Sequence, residues 1–190
     1  GEYRQSYTEE ELHRRIENDL ARLGTIANRF GKIGSIPVLS DHDVNRLTAE
    51  VVDYYRERLP HGGKGVQIDF APGDIPETKV DRELYSWVVE NLIKNSLEAV
   101  DARTGRISVA TRPASSGRAI IVEVTDNGRG VARSDSRRIF RPGYTTKKRG
   151  WGLGLSLARR IIQEYHKGTI TLVKSDPGRE TTFAIHLPTA

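Results

Sequence analysis

Near the start of the chain, apolar residues recur at Leu12, Ile16, Leu20, Leu23, Ala27 and Phe30. From Ile16 onward the steps alternate between four and three, the spacing of a helix with one apolar seam. Thr8 and Glu11 form a capping box ahead of it, and Pro37 marks its end. Such a seam has to be buried, on a second helix, on a second copy of the chain, or on its own domain. A shorter helix follows, with N-caps offered by Ser40, Asp41, His42 and Asp43, and with Val44, Leu47, Val51 and Tyr55 on one face. It is expected to stop at Leu59-Pro60, before the flexible joint His61-Gly62-Gly63-Lys64-Gly65.

Beyond the joint the period changes. Residues 66–70 alternate apolar and polar, which predicts a half-buried strand. Asp81 caps a predicted helix that runs to about Val100. Strands are expected over residues 107–110 and 119–124, joined by the turn-rich Pro113-Ala114-Ser115-Ser116-Gly117. A further helix is predicted over about 153–165. Last come strands over 169–173 and 181–185, across an Asp176-Pro177-Gly178 turn. Strands cluster as hairpins and helices fall between the clusters, so the expected class is α+β, with helices on one face of a mixed, mainly antiparallel sheet.

Composition narrows this little. The 190 residues are 36% hydrophobic and 29% charged, as expected of a globular protein. The absence of Cys excludes thiolate metal sites, disulfides and cysteine nucleophiles. No apolar run approaches the ~20 residues that span a bilayer, so no membrane segment is expected in the stretch given, which can still be cut from something longer. The net charge of +5 is scattered rather than gathered with stacking aromatics, so nucleic acid is not an expected partner.

Three stretches carry candidate chemistry. On the helix from Asp81, the residues Tyr85, Val89, Leu92, Ile93, Leu97 and Val100 predict the core-facing arc. Asn91 and Asn95 stack one turn apart on the other side, among Leu84, Val88 and Ala99, and half-buried amides need partners. A hard cation and phosphate oxygens would serve, with Lys94 a little further round and within reach of phosphates. The second stretch is Asp126-Asn127-Gly128-Arg129-Gly130. A carboxylate at a buried strand end can accept from an exocyclic amine, but the same string is also strong turn chemistry. The third is Gly150-Trp151-Gly152-Leu153-Gly154-Leu155, at a helix start where main-chain N–H groups can meet an anion. The preceding Tyr144-Thr145-Thr146-Lys147-Lys148-Arg149 supplies hydroxyls and cations, as a lid over phosphates would.

In order and spacing, Asn91-Leu92-Ile93-Lys94-Asn95, Asp126-Asn127-Gly128-Arg129-Gly130, Ile139-Phe140 with Thr145-Thr146-Lys147, and Gly152-Leu153-Gly154-Leu155 resemble four boxes of the sensor histidine kinases. These are the asparagine, first glycine, phenylalanine and second glycine boxes, shared within the wider ATPase superfamily of gyrase, Hsp90, histidine kinases and MutL. The resemblance covers residues 66–187, and FRPGYTTKKRGWGLGL over 140–155 is especially similar to nitrogen-regulation-type kinases.

The resemblance implies a two-layer α/β sandwich of the Bergerat type over residues 39–190. It implies that residues 1–38 are a remnant of the helical dimerisation hairpin, similar to its second helix. Its implied ligands are ATP and Mg²⁺, with Asn91, Lys94 and Asn95 as the catalytic set and Asn95 holding the metal. Asp126 would read the adenine amine, with Gly128 and Gly130 lining the base pocket and Thr182 close to the base. Thr145, Thr146 and Lys147 would reach the γ-phosphate, and Gly150, Gly152, Leu153, Gly154 and Leu155 would form the lid hinge and phosphate contacts. The family's acceptor histidine has no match among His13, His42, His61, His166 and His186. The implied function is therefore transfer of a phosphoryl group from Mg²⁺-ATP to a histidine outside the chain, for relay to a response-regulator receiver domain. The full protein would be a homodimer through the hairpin, and cytoplasmic, alone or as the cytoplasmic part of a membrane-bound sensor. The alternatives are a nucleotide-binding regulatory module without phosphotransfer and a gyrase- or MutL-type ATPase. Three departures stand out: Ser96 where Ala is usual, Trp151 between the glycines, and Gly178-Arg179-Glu180-Thr181 without its second glycine.

Overall fold

The computed structural model describes residues 37–59, 65–147 and 151–189. The helix predicted from Thr8, the hairpin reading of residues 1–38, and Lys148, Arg149 and Gly150 lie outside them. From Val38 the chain is one compact unit. Among the described residues no helix is long and apolar enough to cross a membrane.

A five-stranded sheet carries the molecule. Strands β2 (Gln67–Ala71), β4 (Arg106–Pro113), β5 (Ala119–Asp126), β7 (Glu180–Pro188) and β6 (Thr169–Asp176) lie side by side in that order. Only β2 and β4 run parallel; every other neighbouring pair is antiparallel. A small second sheet pairs β1 (Ser40–His42) with β3 (Thr78–Val80). Neither short strand was expected, because three residues hold no readable period.

The helices cover one face of the sheet. Helix α1 (Val44–Arg56) starts at Asp43, whose carboxylate accepts from the Arg46 N–H at 3.1 Å. It buries Val52 where Val51 was expected, and it ends at Arg56 rather than at Leu59. Helix α2 (Arg82–Ala99) starts at Asp81 as predicted, its carboxylate taking the N–H groups of Glu83 and Leu84 at 3.1 and 3.0 Å. The cap satisfies two of the donors that a helix start leaves free. Helix α2 packs on both α1 and α3, which widens its buried face: Leu84 and Val88 are fully covered, whereas Leu97 and Val100 are only half-buried. The Tyr85 hydroxyl meets that of Thr48 at 2.6 Å, which ties α2 to α1, and burial holds the phenol well above its usual range.

Helix α3 (Gly154–Arg160) ends in a single π turn, Ile161–Tyr165, and His166 closes it. The His166 ring donates from Nδ1 to the Ile161 carbonyl at 3.0 Å and accepts at Nε2 from the Asp81 N–H at 3.1 Å. The end of α3 is thereby fastened to the start of α2.

Strand register fixes what reaches the helix side. Opposite one another lie Ile120 and Leu187, Val122 and Ile185, Val124 and Phe183, then Asp126 and Thr181. The first three pairs are core. The fourth ends the same row with polar groups, beneath the second half of α2. This is where the candidate site begins.

Candidate functional site

Asp126 is 4% exposed. Its Oδ2 accepts from the Ser96 hydroxyl at 2.8 Å and its Oδ1 from the Gly128 N–H at 2.9 Å. Burial pushes the carboxyl pKa up, and the two donors act against that rise. Beside it, Thr181 is also buried, and its Oγ1 has no hydrogen-bond partner among the described residues. A hydroxyl left unpaired indoors costs free energy unless a ligand or water serves it.

Thr182, expected near a base, is not on this face. Successive strand residues point to opposite sides, and Thr182 lies across from Thr125, with the two hydroxyls 3.0 Å apart on the side away from the helices. Thr181 holds the place beside Asp126. The sequence did carry a signal for this, since Phe183, Ile185 and Leu187 share the parity of Thr181.

One turn pattern along α2 brings Asn91 and Asn95 to the site. Asn91 lies against the start of α3 so closely that a Cβ on Gly154 would stand 2.3 Å from Asn91 Oδ1. Any larger residue there would push the Asn91 amide aside. Asn91 Nδ2 is buried and has no hydrogen-bond partner among the described residues. The first turn of α3 has no side-chain cap. Asn95 Oδ1 accepts from the Lys147 ammonium at 2.8 Å, and the same ammonium pairs with Glu98. Lys94, expected to reach the same place, is drawn instead to Glu90 at 2.5 Å, one turn back along the helix. That ion pair lies on a different azimuth of α2 from the two amides, because one residue is a 100° step.

The glycine loop after β5 is held from two sides. A Cβ on Gly128 would stand 2.7 Å from the Ala99 backbone, and Arg129 N–H donates to the Ala99 carbonyl at 3.1 Å. On its other side the Gly178 N–H donates to the Gly128 carbonyl at 2.7 Å, and Gly130 lies beside Pro177 and Ser175. The space a side chain would take at Gly128 is filled by the Ala99 backbone, so that glycine lets the loop close on the end of α2 and helps to set the position of Asp126.

Residues 139–147 and 151–155 come next to α2 at Asn91 and Asn95. Ile139 is buried, and Phe140 meets Phe183 edge-to-face at 6.3 Å. Gly152 lies against the backbone of Gly143 and Tyr144, and its carbonyl accepts from the Gly143 N–H at 3.1 Å. The Thr145 hydroxyl accepts from the Lys147 N–H at 3.1 Å, a tight turn that presents Lys147. Thr146 is exposed, and Leu153 and Leu155 are half-buried. Trp151 is 76% exposed.

Of the residues named from the sequence, Asn91 meets the start of α3, Asn95 meets Lys147, and Asp126 meets the second half of α2 through Ser96. Sequence reasoning passed over Thr181 and Glu98, and it treated Ser96 as a mild departure.

Comparison with known proteins bears on this arrangement. The chain is similar to sensor histidine kinase ZraS of Escherichia coli (strain K12), at 37% identity over 124 residues, 65% of this chain and 26% of ZraS. It thus spans about a quarter of that relative's length. Among solved structures it is similar to the catalytic domain of histidine kinase ThkA, at 26% identity and a TM-score of 0.68, covering 80% of this chain and 95% of that one. ThkA solved in complex with response regulator protein TrrA gives a TM-score of 0.73 at 24% identity, over 99% of this chain and 54% of that one. Full-length ShkA, solved in complex with AMPPNP, gives 0.78 at 22% identity, over 98% of this chain and 41% of that one; at 22% this likeness speaks for the fold. The family model for histidine kinase-, DNA gyrase B- and HSP90-like ATPases matches residues 80–190, and the chain belongs to that family.

Proposed function

We propose that the site binds Mg²⁺-ATP and that the chain is the catalytic part of a sensor histidine kinase. It would transfer the γ-phosphoryl group to a histidine outside these residues, for relay to a response-regulator aspartate. One observation carries the reading most. A buried amide with an unpaired nitrogen, Asn91, is pressed onto the uncapped start of α3, one turn from an amide oxygen that already faces a cation. An unpaired amide donor beside a helix start without a side-chain cap suits the oxygens of a polyphosphate.

The residues also fit the metal. Among the described residues there is no cluster of three or more acidic or histidine side chains to cage an ion. Mg²⁺ does not need one, since it keeps waters and takes substrate phosphates beside one or two protein oxygens. Asn95 Oδ1 would hold it, and when bound it supplies positive charge against the phosphates. Lys147 occupies that oxygen in this structure, so nucleotide entry has to move the ammonium, which remains tethered by the turn at Thr145. Lys147 would then follow the phosphates, with Thr145, Thr146 and Gly150 completing the lid. Asp126 would accept from the adenine amine, and the Thr181 hydroxyl would serve the same ring or a water beside it. Phosphoryl transfer asks chiefly for positioning and charge neutralisation, which such a set provides.

The described histidines support an acceptor elsewhere: His42, on strand β1, has its Nε2 2.9 Å from the Ser40 hydroxyl oxygen. His166 is 2% exposed with both ring nitrogens engaged. His186 pairs with Ile121 and Thr169 on the sheet face away from the helices. The hydrolytic alternative finds no support in Glu90, which is held by Lys94. Mixing the chain with labelled ATP, Mg²⁺ and a separately made histidine-bearing hairpin tests the proposal. Acid-labile label on the hairpin is the expected result. Nucleotide binding with no label would favour a regulatory module, and release of free phosphate an ATPase. In the whole protein we propose a homodimer formed through the hairpin, in the cytoplasm, with a receiver domain as partner.

A further inference from the structure

The role of the Ser96 hydroxyl rests on the nucleotide reading of the site and deepens it. Ser96 is 2% exposed, on the face of α2 turned to the sheet, and its Oγ donates to Asp126 Oδ2 at 2.8 Å. The Gly128 N–H donates to Asp126 Oδ1 at 2.9 Å. Each carboxylate oxygen therefore receives one donor. The backbone N–H cannot accept at all, and the Ser96 hydroxyl, in the orientation that gives its hydrogen to Asp126, favours the carboxylate that accepts it.

We infer that Ser96 is a positioning residue that holds Asp126 as a hydrogen-bond acceptor, and that it thereby strengthens, beyond what Asp126 alone gives, the preference of this site for 6-amino over 6-oxo purines. A 6-amino group offers N–H to the carboxylate. The O6 of hypoxanthine or guanine brings a second acceptor and is repelled. That discrimination lasts only while Asp126 carries no proton, because a neutral carboxyl can donate to O6 as readily as it accepts from an amine. A site built around a polar partner rejects the wrong one strongly because buried groups are left unpaired. Burial favours the neutral form here, and Ser96 with Gly128 opposes it. The groups beside Asp126 on neighbouring strands are Ile107 on β4 and Thr181 on β7, neither charged, and among the described residues no charge contributes to the shift. With no lysine or arginine to hold the anion, the single hydroxyl carries unusual weight.

The experiment is equilibrium binding of ADP and of IDP, with Mg²⁺, to the 190-residue chain as Ser96, Ser96→Ala and Ser96→Thr, from pH 5 upward. Neither ligand needs turnover to be read. In Ser96→Ala the ratio of the two dissociation constants should fall by about tenfold, the effect of one hydrogen bond to a charged group. The pH below which ADP binding is lost should also move upward, since removing a donor makes the carboxyl easier to protonate. Ser96→Thr keeps the hydroxyl and should restore both. A partly unfolded variant would weaken ADP and IDP alike, so the ratio is insensitive to folding. If Ser96→Ala weakens both ligands equally with an unmoved acid limb, the inference is overturned and Ser96 is packing alone. If the unsubstituted chain binds neither nucleotide at any pH, the nucleotide reading itself falls.

Discussion

At the scale of single residues, the site is made by groups that the fold leaves short of partners. Asn91 Nδ2 and Thr181 Oγ1 are the two buried side-chain atoms without a hydrogen bond among the described residues; the first lies against the start of α3 and the second opposite Asp126. Elsewhere the core keeps polar atoms paired, as in Thr111, which donates to Asn45 Oδ1 and accepts from the Gly73 N–H. One residue outside the site is under plain backbone strain. Lys167 has φ of 54°, the left-handed region that L side chains avoid. Lys167→Gly should raise stability by roughly 0.5 kcal/mol once glycine's greater unfolded freedom is subtracted. A denaturant midpoint that moves down would show that the Lys167 ammonium, which caps the Glu164 carbonyl at 2.8 Å, outweighs the strain.

At the scale of elements, legibility followed the length of the period. Helix α2 was readable from Asp81 onward because eighteen residues keep one pattern and an unambiguous cap starts it. The pattern gave one apolar arc, however, and the helix packs on α1, on α3 and on the sheet. Leu84 and Val88 are buried as well, which single-helix periodicity cannot reveal. Strands β1 and β3 were illegible, being three residues each and stabilised by one another. The π turn after α3 was also unseen, because the same apolar residues fit either winding. Within the site, Asn91, Asn95 and Asp126 were legible as residues, but their consequences depended on close contacts between elements. Gly154 is the clearest case. It reads as a phosphate-loop glycine in sequence, and in the fold it is the space that Asn91 needs. Gly154→Ala is expected to keep α3 and weaken ADP binding by about tenfold, since overpacking of this kind costs about 1–3 kcal/mol and falls on the Asn91 amide. Calorimetric titration beside a thermal melt checks it. Unchanged affinity would mean that Asn91 has slack to move.

At the scale of the whole molecule, one sheet and three helices converge on a single edge of α2, and the register of β5 with β7 decides which groups are on the inside. Counting from the apolar residues Phe183, Ile185 and Leu187 puts Thr181 inward and Thr182 outward, a parity already present in the sequence. His166 makes the helical layer respond to pH as a unit. Burial lowers its pKa, so the unfolded chain takes up a proton that the folded chain resists. Its stabilising effect is therefore complete above about pH 6.5, the ordinary histidine range, and is lost progressively below it. His166→Asn should cost about 1–3 kcal/mol at pH 8, by leaving the Asp81 N–H and the Ile161 carbonyl unserved. The gap from the unsubstituted chain should narrow as pH falls below about 6.5. Urea titrations across that range give the answer, and a gap independent of pH would contradict the neutral, accepting role of Nε2.

The most direct test of the central claim is titration of Mg²⁺-ADP into the chain and into Asp126→Asn at neutral pH. Asparagine has one acceptor oxygen, so it cannot take both the Ser96 and Gly128 donors and still accept from a purine amine. The account predicts saturable binding at one site in the unsubstituted chain, and affinity lower by about tenfold or more in the variant with the fold intact. Equal affinity in the two proteins would contradict it.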